Sequence, residues 1–129
     1  MLVLDASALA SWLMPDEVGT DLAALAEAHD SFCAPWLLWA EIRNILIVGE
    51  RRGRIPAAIV EQALEAIDAL GIELVATPSS AAVLALCRKH GLTAYDALYL
   101  ELALRRGAVL ATRDTALARA AVAEGVVLA

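Results

Sequence analysis

The sequence predicts an α/β fold, a three-layer α/β/α sandwich around a central and mainly parallel sheet. Three observations point there. Short apolar runs, such as Leu2-Val3-Leu4 and Val109-Leu110-Ala111, alternate with longer segments of helical periodicity. These runs are continuously apolar rather than alternating, the pattern of strands covered on both faces. Alanine, the strongest helix former, supplies much of a composition that is 60% hydrophobic, so the helices should dominate.

Residues 2–5 read as a buried strand, followed by a helix from Ser7 to Leu13. Pro15-Asp16-Glu17 breaks the chain and starts a second helix over Val18 to His29. Ser31 to Ala34 is a short strand, and Pro35 stands where the next helix, Trp36 to Glu50, begins. Pro56 opens another helix whose stripe is Ile59, Ala63, Ala66, Ile67 and Leu70, ended by Gly71. Ile72 to Ala76 is a strand, and Pro78-Ser79-Ser80 starts a helix to His90. Gly91-Leu92-Thr93 turns into a helix that runs to Arg106 and is capped by Gly107. Ala108 to Ala111 is a strand, Asp114 to Glu124 a helix, and Gly125 to Leu128 a last strand.

At 129 residues the chain is expected to form one domain, residues 1–129, with a real core. No apolar stretch reaches the ~20 residues of a membrane span, and no signal peptide precedes Leu2, so a cytoplasmic location is expected. Cys33 and Cys87 are isolated in apolar context and read as reduced core cysteines. His29 and His90 read as surface residues at helix ends. Trp36, Trp39, Tyr95 and Tyr99 fall at helical spacing and read as core or dimer surface. The net charge of −6 disfavours a nucleic-acid partner at first sight. The bases, Arg51-Arg52-Arg54, Arg88-Lys89 and Arg105-Arg106 among them, gather where helix C-termini are expected, which complements the macrodipole.

Four acids stand out because of where they lie. Asp5 ends an apolar tripeptide, Glu41 interrupts the apolar run from Trp36 to Val48, Asp96 opens another, and Asp114 follows a fourth. An ionised carboxylate in apolar surroundings is costly unless it is paired, hydrogen-bonded or bound to a cation. Capping explains three of them singly. Asp5 or Ser7 can cap the first helix, Thr93 and Asp96 form a capping box, and Asp114 can cap the last helix. Glu41 lies mid-helix and has no such explanation, though Asn44 shares its face and can orient it. In an open parallel sheet, ligands bind beyond the carboxyl ends of the strands, where Asp5 and Asp114 should emerge together. A joint acidic cluster explains all four at once.

Such a cluster suits Mg²⁺ or Mn²⁺, hard cations that take oxygen ligands and keep several waters. A metal there would activate water and neutralise charge on a phosphodiester during in-line displacement.

Val3-Leu4-Asp5-Ala6-Ser7, the segment Pro35…Glu41…Asn44, Leu92-Thr93-Ala94-Tyr95-Asp96-Ala97 and Ala111-Thr112-Arg113-Asp114 together resemble the PIN domain, and within it the VapC-type toxins of bacterial toxin–antitoxin modules. The likeness is collinear and spans essentially the full chain. It implies a metal-dependent endoribonuclease that leaves a 5′-phosphate and a 3′-hydroxyl on RNA. Asp5 and Asp96 would be the principal metal ligands, with Glu41 and Asp114 completing the acidic site. Ser7, Thr93 and Thr112 would hydrogen-bond water or phosphate. The family also implies a homodimer, neutralised by a small VapB-type antitoxin. The last motif carries only Asp114, so one metal or two is left open.

Two other classes compete. A phospho-acceptor receiver domain is also a small acidic α/β sandwich, but it wants adjacent acids and a strand-end lysine, whereas Asp5 precedes alanine and Lys89 falls in a helix. A catalytically idle binding module would keep the fold and lose the chemistry.

Overall fold

Four parallel strands form the centre of the protein in a computed structural model that describes residues 1–14 and 19–129. The elements run β1 (Leu2–Leu4), α1 (Ala6–Leu13), α2 (Leu22–Ala28), β2 (Phe32–Pro35), α3 (Leu37–Arg51), α4 (Ala57–Ala69), β3 (Glu73–Val75), α5 (Ser80–His90), α6 (Ala94–Arg106), β4 (Val109–Ala111) and α7 (Thr115–Ala123). The strand order is β3-β2-β1-β4. β1 pairs with β2 through Leu2–Phe32 and Val3–Cys33, and with β4 through Leu2–Val109 to Leu4–Ala111. The outcome is the α/β/α arrangement expected from the sequence.

β1 is central because all three of its side chains are apolar and fully buried. Alternation along the strand sends them to opposite faces. Leu2 and Leu4 pack with Ala8, Leu22, Phe32 and Ala111, while Val3 joins the larger core with Leu9, Leu38, Ile42 and Leu100. Each such side chain contributes about 1.5–3 kcal/mol on burial. α3 turns Leu38, Ile42, Leu46 and Gly49 inward, a spacing of one helical face. α6 is buried on most of its circumference, and Gly107 ends it in the left-handed region at φ 58°. Arg88-Lys89 and Arg105-Arg106 do fall in the last turns of α5 and α6, whereas at α3 Arg51 lies in the last turn, Arg52 is the cap and Arg54 lies past the end.

Several expectations change. Residues 125–128 do not form the last strand expected of them: Leu110 accepts from Ala129 and donates to Val127, and the pairing is the single parallel bridge Leu110–Leu128. Pro35 closes β2 instead of opening α3, since its ring costs the strand only an N–H. β3 is an exposed edge strand, because it has a neighbour on one side only. Of the four aromatics, only Tyr99 enters the core; Trp36, Trp39 and Tyr95 are exposed, and Arg43 stacks over Trp39 at 3.9 Å. His90 ends α5 as expected but is largely covered, with Nε2 2.7 Å from Glu124. Cys33 is buried, Cys87 half-buried, and both are free. The break at Pro15-Asp16-Glu17 and the helix start at Val18 lie outside the described residues; α2 runs from Leu22. Among the described residues no helix is long and apolar enough to cross a membrane.

Candidate active site

Parallel pairing of β1 with β4 brings two chain segments out at the same sheet edge. There the Asp5 backbone N–H donates to the Ala111 carbonyl at 3.1 Å. Asp5 caps α1 and Asp114 caps α7, each accepting from a backbone N–H three residues on, Ala8 and Leu117. Capping and clustering are therefore not alternatives. The helix start fixes where each carboxylate stands, and the sheet brings the two helix starts together.

Asp5 is only 4% exposed, so its oxygens need partners from the protein. Oδ1 accepts from the Ser7 hydroxyl at 2.7 Å and the Ala8 N–H at 2.8 Å, and Oδ2 accepts from the Thr112 hydroxyl. A carboxylate has about four lone-pair sites, which leaves one for a ligand. Ser7 in turn accepts the Arg113 N–H at 2.9 Å, and Thr112 accepts the Asp114 N–H at 3.0 Å. Two hydroxyls thus stitch the β4–α7 turn to the Asp5 carboxylate.

Glu41 and Asp96 complete the group from outside the sheet. Glu41 projects from the middle of α3 and its Oε1 accepts from the Tyr99 hydroxyl at 2.6 Å. Asp96 lies in the first turn of α6, whose cap is Thr93, accepting from the Asp96 N–H at 3.2 Å. Burial raises the pKa of Asp5, Glu41 and Asp96 alike. Their neighbours' charges add to it: Asp114 on Asp5, Asp96 and Asp5 on Glu41, Asp114 and Asp5 on Asp96. All four acids of the sequence argument therefore share one electrostatic field.

They do not form a closed cage. Among the described residues no three His, Cys, Asp or Glu side chains are grouped tightly enough to enclose a metal ion. A hydrated divalent ion bound through only one or two carboxylates, with water filling its other positions, does not require such a group.

Of the accessory residues, Ser7 and Thr112 touch Asp5 directly, and Thr93 touches Asp96. Asn44 is exposed, and the hydrogen bond expected of it comes from Tyr99. The available signal was the three-residue spacing from Asp96 to Tyr99, which puts both on one face of α6. Lys89, which a phospho-acceptor site would need beside Asp5, is bound to Glu124 at 2.8 Å. An apolar cavity of about 520 Å³ between α5 and α6 is lined by other residues, and its charges are already paired, Arg105 with Glu101 at 2.8 Å and Lys89 with Glu124.

A short parallel sheet between helices, with acids gathered beyond the carboxyl ends of its central strands, defines a class of small acidic-site α/β domains. Within that class the chain belongs to the PIN domain family, whose model matches residues 2–123. It is 33% identical over 121 residues to Ribonuclease VapC3 of Pyrobaculum aerophilum, covering 91% of this chain and 92% of that one. Among solved structures it is similar to PAE2754 of Pyrobaculum aerophilum, with a TM-score of 0.75, 25% identity, and coverage of 92% of this chain and 83% of that one. A toxin–antitoxin complex from Klebsiella pneumoniae (TM-score 0.61, 21% identity, 89% and 88% covered) and FitAcB from Neisseria gonorrhoeae (0.60, 19%, 99% and 96%) share the fold.

Proposed function

We propose that this protein is an endoribonuclease of the VapC type, the toxin of a toxin–antitoxin pair, and that Asp5, Glu41, Asp96 and Asp114 are its active site. The observation that carries the reading is the convergence of four carboxylates, three with raised pKa, in a PIN domain one-third identical to a named ribonuclease. Groups that repel one another in this way favour a site that accepts a cation.

Bound there, Mg²⁺ or Mn²⁺ would supply a lowered pKa for water and neutralise charge on the phosphodiester. Asp5 and Asp96 would be its principal ligands, and Glu41 and Asp114 would complete the acidic site directly or through water. Asp5 presents a fixed oxygen because Ser7, Ala8 and Thr112 immobilise the rest of its carboxylate. Ser7, Thr93 and Thr112, which touch Asp5 and Asp96, would position water or phosphate. Attack of water on phosphorus breaks the bond to the 3′-oxygen, leaving a 3′-hydroxyl and a 5′-phosphate.

The partners in this reading are RNA, a small antitoxin and a second copy of the chain, in the cytoplasm. The exposed Trp36, Trp39 and Tyr95 offer apolar area for such contacts. The lack of a closed ligand cage favours one rival, an idle binding module with this fold.

One experiment separates them. The purified protein is incubated with total cellular RNA and Mg²⁺ or Mn²⁺, or with excess chelator, beside an identically prepared Asp96→Asn variant. Discrete metal-dependent fragments, lost in the variant, are expected. Equal cleavage by the variant, in preparations free of host nuclease, removes the assignment.

A further inference from the structure

We propose that Tyr99 is a positioning residue of the acidic site: its hydroxyl holds Oε1 of Glu41 and so orients that carboxylate for the divalent cation. The role rests on the metal-site reading above and extends it to a residue outside the four acids.

Tyr99 is 2% exposed, and a buried tyrosine hydroxyl requires a partner. It finds a carboxylate 58 residues away, at 2.6 Å, in the short range of charge-assisted bonds. A hydroxyl has one proton to give and an ionised carboxylate only accepts, so that proton goes to Glu41. Tyr99 lies three residues after Asp96 on the same face of α6. One hydroxyl therefore ties the side chain of Glu41, on α3, to the helix that carries Asp96. A glutamate on a helix otherwise samples several rotamers. Here Oε1 is held, and Oε2 is left to the site. Outer partners of this kind orient the ligands they touch, and losing one typically weakens metal binding about 10–100-fold.

The test is calorimetric titration of the full chain with Mn²⁺ in four forms: wild type, Tyr99→Phe, Glu41→Gln and the double variant. Tyr99→Phe keeps the ring and removes only the hydroxyl. Its Mn²⁺ dissociation constant should rise about tenfold or more. In the Glu41→Gln background the same change should add nothing, because Tyr99 acts through Glu41. A purely structural tyrosine would lower the Tm in chelator and leave Mn²⁺ affinity unchanged in both backgrounds. Wild-type affinity in Tyr99→Phe, or an equal loss in both backgrounds, overturns the proposal while the metal site stands. A wild-type chain without saturable Mn²⁺ binding overturns both.

A second readout leaves position 99 intact. Tyr95→Phe makes Tyr99 the only tyrosine of the chain. Its hydrogen-bond-sensitive Raman doublet should shift as Mn²⁺ binds, and a doublet unchanged at saturating Mn²⁺ overturns the proposal.

Discussion

The Thr112 hydroxyl donates to Oδ2 of Asp5 from 107 residues away. The threonine's own Oγ1 accepts the Asp114 N–H, so a single threonine on the turn after β4 fixes the direction of one acid and the backbone of another. It stands where it does because β4 pairs in parallel with β1, ending both strands at one edge.

Thr112→Val keeps the shape and removes the hydroxyl. Asp5 then loses one donor, and the Asp114 N–H loses its acceptor. Stability should fall by about 1–3 kcal/mol, read as a lower urea midpoint with an unchanged slope. Mn²⁺ affinity should fall about tenfold. An unaltered midpoint would remove Thr112 from the support of the site.

Divalent cation should stabilise the folded chain saturably. At a Mn²⁺ concentration 100 times the dissociation constant the gain is about 2.7 kcal/mol, a rise in Tm that excess chelator reverses. Asp5→Asn and Asp96→Asn should each abolish most of that rise and lower cleavage about 100-fold or more, the scale on which charge stabilisation at a reacting phosphate operates. A full rise in either variant would contradict the ligand assignment.

The pH dependence has a defined sign. The pKa values of Asp5, Glu41 and Asp96 are raised in the folded state, chiefly by burial, so the native chain binds these protons more tightly than the unfolded chain. Their contribution to stability is therefore present below the ordinary carboxylate range and lost as pH rises through the raised values. In chelator, Asp96→Asn should then gain Tm relative to wild type as pH is taken upward from about 4, the ordinary carboxylate range. Mn²⁺ should shrink this gain by satisfying the charges in the wild type. Thermal melts across the range give the answer, and a gain that is constant with pH would contradict the shared field.

Gly107→Ala addresses the scaffold. Its φ of 58° lies in the left-handed region, where an L side chain costs about 1–2 kcal/mol. No neighbouring atom lies within 4 Å of the added methyl, so the loss should come from backbone strain alone. The melt should show that loss, with Mn²⁺ affinity unchanged.

The alternation of apolar strands with helices was legible from local pattern, as were the caps at Asp5, Thr93 and Asp114, which depend on residues within three positions. The four acids were legible too, because ionised carboxylates in apolar runs are rare without a compensating partner. Glu41 was the most telling, since no cap explains a mid-helix acid. The C-terminal segment was overread: an apolar tetrapeptide can pair along its length or, as here, at Leu128 alone, and local composition does not distinguish the two.

By itself, then, the sequence determined the class of fold and singled out the four acids, because both follow from local pattern: apolar runs of strand or helix period, and charges that interrupt them. Tertiary structure alone decided that β1 lies between β2 and β4, that Trp36, Trp39 and Tyr95 face solvent while Tyr99 does not, and that Tyr99, not Asn44, holds Glu41. The physical reason is separation along the chain. A hydrogen bond across 58 residues exists only once the strands have paired and α3 and α6 have docked; the spacing within α6 sets Tyr99 on the face of Asp96 but does not name Glu41 as its partner.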